Sequence, residues 1–286
     1  MTESSGKLYL VATPLGNLED ITQRALRTLG EVDLIAAEDT RHTLKLLNYF
    51  QIKKPMLSCY QHNERSRGLQ IVERIRAGAN VALVSDAGMP GISDPGNWLV
   101  AEAIKSGITV VPIPGASAVI TALAASGLDT GSFQFEGFLP RKTTEQAAKL
   151  ILMADFKGTL VLYESPHRVV ATLKNVLAVL GDRQVVLARE LTKIHEEFIR
   201  GAISQILPKL ESEKPKGEFT ILITGVAQNV KNLQNSTKET QFDINVANIP
   251  AGSSLRNELK MIAKKTGKTT KEVYRQYLNE KNKEKE

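Results

Sequence analysis

The sequence is poor in the residues that make covalent or metal-bound frameworks. Among 286 residues there is one cysteine, Cys59, and there are four histidines. A single cysteine excludes internal disulfides and every cysteine-based zinc site. It stands in the short apolar run "MLSCY", where a lone cysteine reads as a small buried hydrophobe and not as a nucleophile. His42, His62 and His195 share no metal-ligand spacing. No apolar run approaches the roughly 20 residues that span a bilayer, and "MTESSGKLYLVATPLGN" lacks the basic start and cleavage pattern of a signal peptide. A cytoplasmic location is the expectation. Neither the G-x-G-x-x-G of dinucleotide sites nor the G-x-x-x-x-G-K-[ST] phosphate loop occurs.

What is present is an ordinary globular composition, 42% hydrophobic and 24% charged, with an uneven charge distribution. Residues 251–286 hold ten Lys/Arg against five Glu, a net of +5, while the whole chain is +6. Two short helices with a basic surface are expected there, "SSLRNELKMIAKKTG" and "KTTKEVYRQYLNEKNKEKE", after an Asn/Gln/Thr-rich linker over 227–250. Such a module suits a polyanionic partner or is a solvated tail.

Before that tail, short Val/Ile/Leu-rich runs alternate with amphipathic segments. "KLYLVAT", "VDLIAAE", "VALVSD" and "TVVPIP" read as buried strands, with helical patterns such as "RGLQIVERIRAG" between them. This alternation predicts a mainly parallel sheet with helices on both faces. A second series follows Leu128: "SFQFEGFL", a helix near 143–154, "GTLVLYES", a helix near 167–180, "QVVLARE", and then "HEEFIRGAI" and "GEFTILITG" read as a strand pair with little helix between. The expected fold class is α/β: an N-terminal α/β domain over 1–116 and a second α/β domain with a mixed sheet over 117–226, followed by the linker and the helical module.

In doubly wound sheets ligands sit beyond the carboxyl ends of the strands. There the sequence places "TPLGN", "EDTRHT", "PGASAV" and, most conspicuously, "VSDAGMPGISDPG". Without a phosphate loop, these turns favour a ligand that has no phosphates. S-adenosylmethionine is one, and Asp86 can attract its cationic portion.

The ordered set "LVATPLGNLEDIT", "AAEDTRHT", "LVSDAGMPGISDPG", "VVPIPGASAVITALAASGL", "FEGFLPRK", "LVLYESPHRV" and "LARELTKIHEEFIRG" resembles the tetrapyrrole methylase superfamily and, within it, the bacterial methyltransferases of small-subunit ribosomal RNA. The resemblance implies two α/β domains with S-adenosylmethionine in the cleft between them, a homodimer, and 2′-O-methylation of a cytidine in the decoding region of 16S rRNA, in the free RNA or the small ribosomal subunit. It also implies cofactor contacts at Pro14, Asp86, Ala87, Gly88, Met89, Ser93, Asp94, Ser117, Ala118, Leu162, Tyr163, Ala188 and Thr220. "SDA" stands here where the superfamily usually has "GDP", which argues against a tetrapyrrole substrate.

A ribose hydroxyl is a poor nucleophile, and a base or acceptor would help deprotonate it. Candidates fall in three clusters: Glu38, Asp39 and Arg41; Glu164, His167 and Arg168; and Arg189, Glu190, Lys193 and Glu196. Each reads as a base with a phosphate clamp or as a structural ion-pair network. Arg141 and Lys142 in "LPRK", with Lys264, Lys265 and Lys268 in the tail, are candidate RNA phosphate contacts. Two other function classes stay open on the residues alone: a methylase of a tetrapyrrole or other small molecule, and a non-catalytic RNA-binding assembly factor.

Overall fold

A computed structural model describes residues 6–226. The tail lysines Lys264, Lys265 and Lys268, the linker and the C-terminal module lie outside the described residues.

The first sheet contains β1 (Lys7–Val11), β2 (Leu34–Ala37), β3 (Met56–Ser58), β4 (Val81–Val84) and β5 (Thr109–Ile113) in the order β3-β2-β4-β1-β5. All of its pairings are parallel. Between the strands run α1 (Gln23–Glu31), α2 (Thr40–Tyr49), α3 (Glu64–Arg76) and α4 (Asn97–Lys105). The near-continuous apolar strands follow from burial on both faces. On β4, Val81 and Leu83 join one core with Ile71, Ile75 and Leu99 of α3 and α4, while Ala82 and Val84 join the other with Leu29 of α1 and Leu47 of α2. β2 divides in the same way, Leu34 and Ala36 to the first core and Ile35 and Ala37 to the second. Cys59, one residue past β3, is buried in the first core, and that burial pushes its thiol up to about 11.

The second sheet contains β6 (Phe133–Phe138), β7 (Thr159–Glu164), β8 (Gln184–Arg189), β9 (Glu197–Ala202) and β10 (Phe219–Ile223), ordered β6-β7-β10-β8-β9. β6 and β7 are parallel and the other pairs antiparallel, the mixed sheet expected. α5 (Ala118–Ser126) packs on one face, and α6 (Thr143–Leu152), α7 (Val169–Leu180) and α8 (Ile203–Glu213) form the core of the other. The expected pairing of "HEEFIRGAI" with "GEFTILI" is corrected: β9 pairs with β8, β10 lies between β7 and β8, and α8 separates β9 from β10. Ile203, Ile206, Leu207 and Leu210 recur at helical spacing and are buried. Pro208 interrupts that pattern in the sequence, yet the helix carries it.

Candidate active site

The turn-rich stretch after β4 is held at both ends. Near its start, Thr13 in the loop after β1 and Gly88 exchange two backbone hydrogen bonds of 2.9 Å, and Thr13 Oγ1 donates to the Ser85 carbonyl at 3.0 Å. At its end, Glu64 Oε1 accepts the amides of Gly96, Trp98 and Leu99 at 2.9, 3.1 and 3.3 Å. A carboxylate there also meets the positive end of the α4 dipole. The loop after β1 is tied in turn to the β8–β9 connection: Thr192 Oγ1 accepts the Asn17 amide at 3.3 Å, and a β-carbon on Gly16 would lie 2.4 Å from Lys193 Cγ.

Beneath this loop is a cavity of about 390 Å³, within the size range of small-molecule sites. The first sheet's loops supply Ala87, Gly88, Met89, Ser93 and Asp94, the start of α5 supplies Ser117 and Ala118, and the second sheet supplies Tyr163, Ala188 and Thr220. All ten are sequence-predicted cofactor residues. Ser117 is the N-cap of α5 but its hydroxyl makes no capping bond, so an oxygen remains for a ligand.

Three expected contacts do not line the cavity. Pro14 is buried and its neighbour Leu15 takes the position. Asp86 turns toward β2, where its Oδ1 accepts the Asp39 amide at 3.2 Å. Leu162 alternates with Tyr163 on β7 and therefore points into the core under α6 and α7. Conversely, Leu15, Ile92, Phe138, Leu191 and Glu218 line the cavity without having been expected to. Leu15, Ile92, Phe138 and Leu191 lie inside the motifs and Glu218 inside "GEFTILITG", but no spacing marks them.

Among the described residues no lysine or arginine lines the cavity, whereas Asp94, Glu164 and Glu218 do. Asp94 lies near other carboxylates whose charges raise it. Burial, then the Glu38 charge and then that of Asp86, push Asp94 up to about 7, against a lowering contribution from the Ser85 hydroxyl. Glu38 is raised by burial and by Asp86. Tyr163 is pushed up to about 12 by burial and by Asp94. This donor set fits S-adenosylmethionine: apolar walls, hydroxyls and exposed backbone for its polar edges and the Asp94 carboxylate toward a cation, the Glu164 and Glu218 carboxylates being already paired with Arg168 and Lys193.

The three charged clusters resolve largely into ion pairs. Asp39 caps α2 by accepting the Arg41 amide at 2.8 Å and is paired with the Arg41 guanidinium at 2.7 and 3.1 Å, which hold its carboxyl well below the usual range. Glu164 is buried: Oε1 accepts the Ser165 amide at 2.9 Å and lies 3.3 Å from Arg168 Nε, and Oε2 accepts Thr172 Oγ1 at 2.7 Å. Arg168 also donates to the Leu139 and Pro140 carbonyls at 2.7 and 3.1 Å, fastening the "LPRK" turn to the start of α7. Glu190 and Lys193 pair at 2.9 Å, Lys193 reaches Glu218 at 3.0 Å, Arg189 pairs with Glu197 at 3.0 Å, and Glu196 accepts the Thr192 amide at 2.6 Å. His167 is exposed. On the "LPRK" turn, Lys142 pairs with Glu145 at 3.0 Å, and exposed Arg141 has no ion-pair partner among the described residues.

Residues 7–207 match the family model described as tetrapyrrole (corrin/porphyrin) methylases. A protein of Streptococcus pyogenes named ribosomal RNA small subunit methyltransferase I is 46% identical over 280 residues, 96% of each chain. One of the same name from Halalkalibacterium halodurans is 52% identical over 229 residues, 80% of this chain and 79% of that protein. Among solved structures, uroporphyrin-III C-methyltransferase of Thermus thermophilus complexed with S-adenosylhomocysteine superposes with a TM-score of 0.55 at 20% identity, covering 76% of this chain and 97% of that one. That last likeness concerns the fold.

Proposed function

The chain belongs to the tetrapyrrole methylase family and, within it, to the small-subunit ribosomal RNA methyltransferases I, and we propose that it transfers a methyl group from S-adenosylmethionine to the ribose 2′-oxygen of a cytidine in the decoding region of 16S rRNA. The observation that carries this reading is the cavity under the 84–96 loop, whose lining among the described residues offers apolar walls, hydroxyls, backbone groups and Asp94 but no lysine or arginine. Such a site suits a cationic, phosphate-free cofactor. The 46% identity over 96% of both chains with the Streptococcus pyogenes protein named a ribosomal RNA methyltransferase supports RNA and not a tetrapyrrole as substrate.

When bound, the cofactor supplies a methyl group on a sulfonium, so the protein's task is alignment, exclusion of water and removal of one proton. Leu15, Leu191 and Ala118 form the apolar wall. Ser117, Thr220 and the backbone of Ala87, Gly88 and Met89 hold the polar edges. Asp94 takes the proton from the 2′-hydroxyl: with its carboxyl raised toward 7 it is a stronger acceptor than an exposed aspartate. Glu164, Arg168, Glu190 and Lys193 serve by holding the walls in place, and Asp39 and Arg41 by capping α2. Arg141 and Lys142 contact RNA phosphates from the rim, with Lys264, Lys265 and Lys268 as further phosphate contacts. The working form is a cytoplasmic homodimer.

Methyl transfer from labelled S-adenosylmethionine to naked 16S rRNA, to assembled small subunits and to a porphyrinoid tests the assignment. Label in ribose of the RNA supports it, in either RNA sample. Label in the porphyrinoid alone, or in none of the three, overturns it.

A further inference from the structure

The rim of the cavity carries two large apolar side chains that remain open to solvent, Phe138 at 53% exposure and Ile92 at 49%. Ile92 comes from the first sheet's long loop and Phe138 from the last residue of β6. An exposed phenylalanine at a strand end is ordinary by itself, but this one is held in place on every side. β6 bulges between Phe135 and Gly137, which puts Phe138 opposite Tyr163. The Tyr163 ring lies tilted 59° at 5.7 Å from that of Phe138. The next two carbonyls, of Leu139 and Pro140, are clamped by Arg168. Exposed Arg141 follows, without an ion-pair partner among the described residues.

Resting on the reading of the protein as an RNA methyltransferase, the geometry points to Phe138 as the stacking platform for a nucleobase unstacked from single-stranded RNA, with Ile92 as the opposing wall and Arg141 on the adjoining phosphate. Every base has a π-face to offer an aromatic ring, and a preorganised ring loses little freedom on binding. In single-stranded RNA the base can leave the stack while its ribose turns toward the cavity, and the exposed ring is where that base comes to rest. An aromatic at the mouth with a cation next to it matches a base followed by its phosphate. The cavity itself, free of cations, matches the cofactor.

The test measures methyl transfer to RNA together with calorimetric S-adenosylmethionine affinity, in wild type, Phe138→Ala, Phe138→Leu and Phe138→Tyr. Stacking is worth roughly 1–3 kcal/mol per base, so Phe138→Ala raises the KM for RNA about tenfold or more. The cofactor Kd stays within about twofold of wild type by the same reasoning, since the ring contacts the base. Phe138→Tyr restores the wild-type KM, and Phe138→Leu, apolar but without a ring, does not. Cofactor affinity falling in step with RNA affinity would make Phe138 a cofactor wall, and full activity of Phe138→Leu would remove stacking as its role. An unchanged RNA KM in Phe138→Ala beside an active wild type overturns this inference alone; a wild type inactive on every RNA overturns the functional reading with it.

Discussion

Ser93 and Gly137 meet across the two sheets. A β-carbon added to Gly137 would lie 2.7 Å from Ser93 Oγ, and both residues have left-handed backbone, with φ of 63° at each. β6 bulges at Glu136, the residue before Gly137, and Ser93 sits in the second half of the loop after β4. The contact thus sets how closely the loop approaches the second sheet, and with it the height of the cavity.

Gly137→Ala is predicted to push the loop away from β6. Left-handed backbone costs an L-residue roughly 1–2 kcal/mol, and the clash with Ser93 adds to that. Thermal unfolding should occur several degrees lower, and S-adenosylmethionine affinity should fall more than the stability loss alone explains. Ser93→Gly combined with Gly137→Ala should recover part of the affinity, because it removes the side chain that collides.

The charge on Asp94 gives two pH dependences. Its carboxyl stands near 7 in the folded protein against an ordinary value near 4, so the folded state binds that proton more tightly than the unfolded chain. Its contribution to stability is therefore full below about pH 4 and is lost as pH rises through about 7. Activity runs the opposite way, since the proton acceptor must be ionised: kcat/KM should rise with pH through about 7. Asp94→Asn should lower the rate by about 10²–10⁴ and remove that limb of the profile. Glu38 and Asp86 face the same carboxylate, so Glu38→Gln should shift the limb to lower pH without abolishing the rate.

Glu164 and Arg168 act on structure. Removing one partner of a fully buried ion pair costs roughly 3–5 kcal/mol, and here Arg168 is partly exposed and keeps its two carbonyl partners. Glu164→Ala should therefore show a loss below that range in denaturant unfolding. Arg168→Ala should also release the turn that carries Arg141, raising the KM for RNA, whereas Arg168→Lys should recover only part because one ammonium cannot serve at once the two carbonyls that Nη2 reaches and the Glu164 carboxylate that faces Nε.

Cys59 should resist thiol reagents. It is 1% exposed and its thiol is pushed up to about 11 by burial, so labelling in native protein at pH 8 should be far slower than in denaturant. Equal rates would contradict the packing described.

Much of the fold is legible in the sequence because burial on both faces leaves a plain signature. Val81 to Val84 are all apolar, and so are Leu34 to Ala37, so they read directly as central parallel strands. The helix after β9 was not legible, since Pro208 and the charged "ESEKPKGEF" blur its periodicity. In the site, the turn motifs pointed to most of the cavity. The proposed role of Asp94 did not show, because its perturbation comes first from burial and then from Glu38 on another strand's loop. Nor did Leu162 and Tyr163 separate until β7 fixed which face each occupies. Phe138 lay inside a quoted motif, but its exposure follows from the bulge at Glu136, which no spacing announces.

The central claim is that the cavity beneath the 84–96 loop holds S-adenosylmethionine, and filling it tests that most directly. Ala118→Phe places a ring where α5 begins, at a partly buried position that lines the cavity and packs against the core under α5. Calorimetry should show one cofactor bound per wild-type chain and none to Ala118→Phe, with cooperative unfolding retained in both proteins. Unaltered cofactor affinity in a folded Ala118→Phe protein would contradict the account.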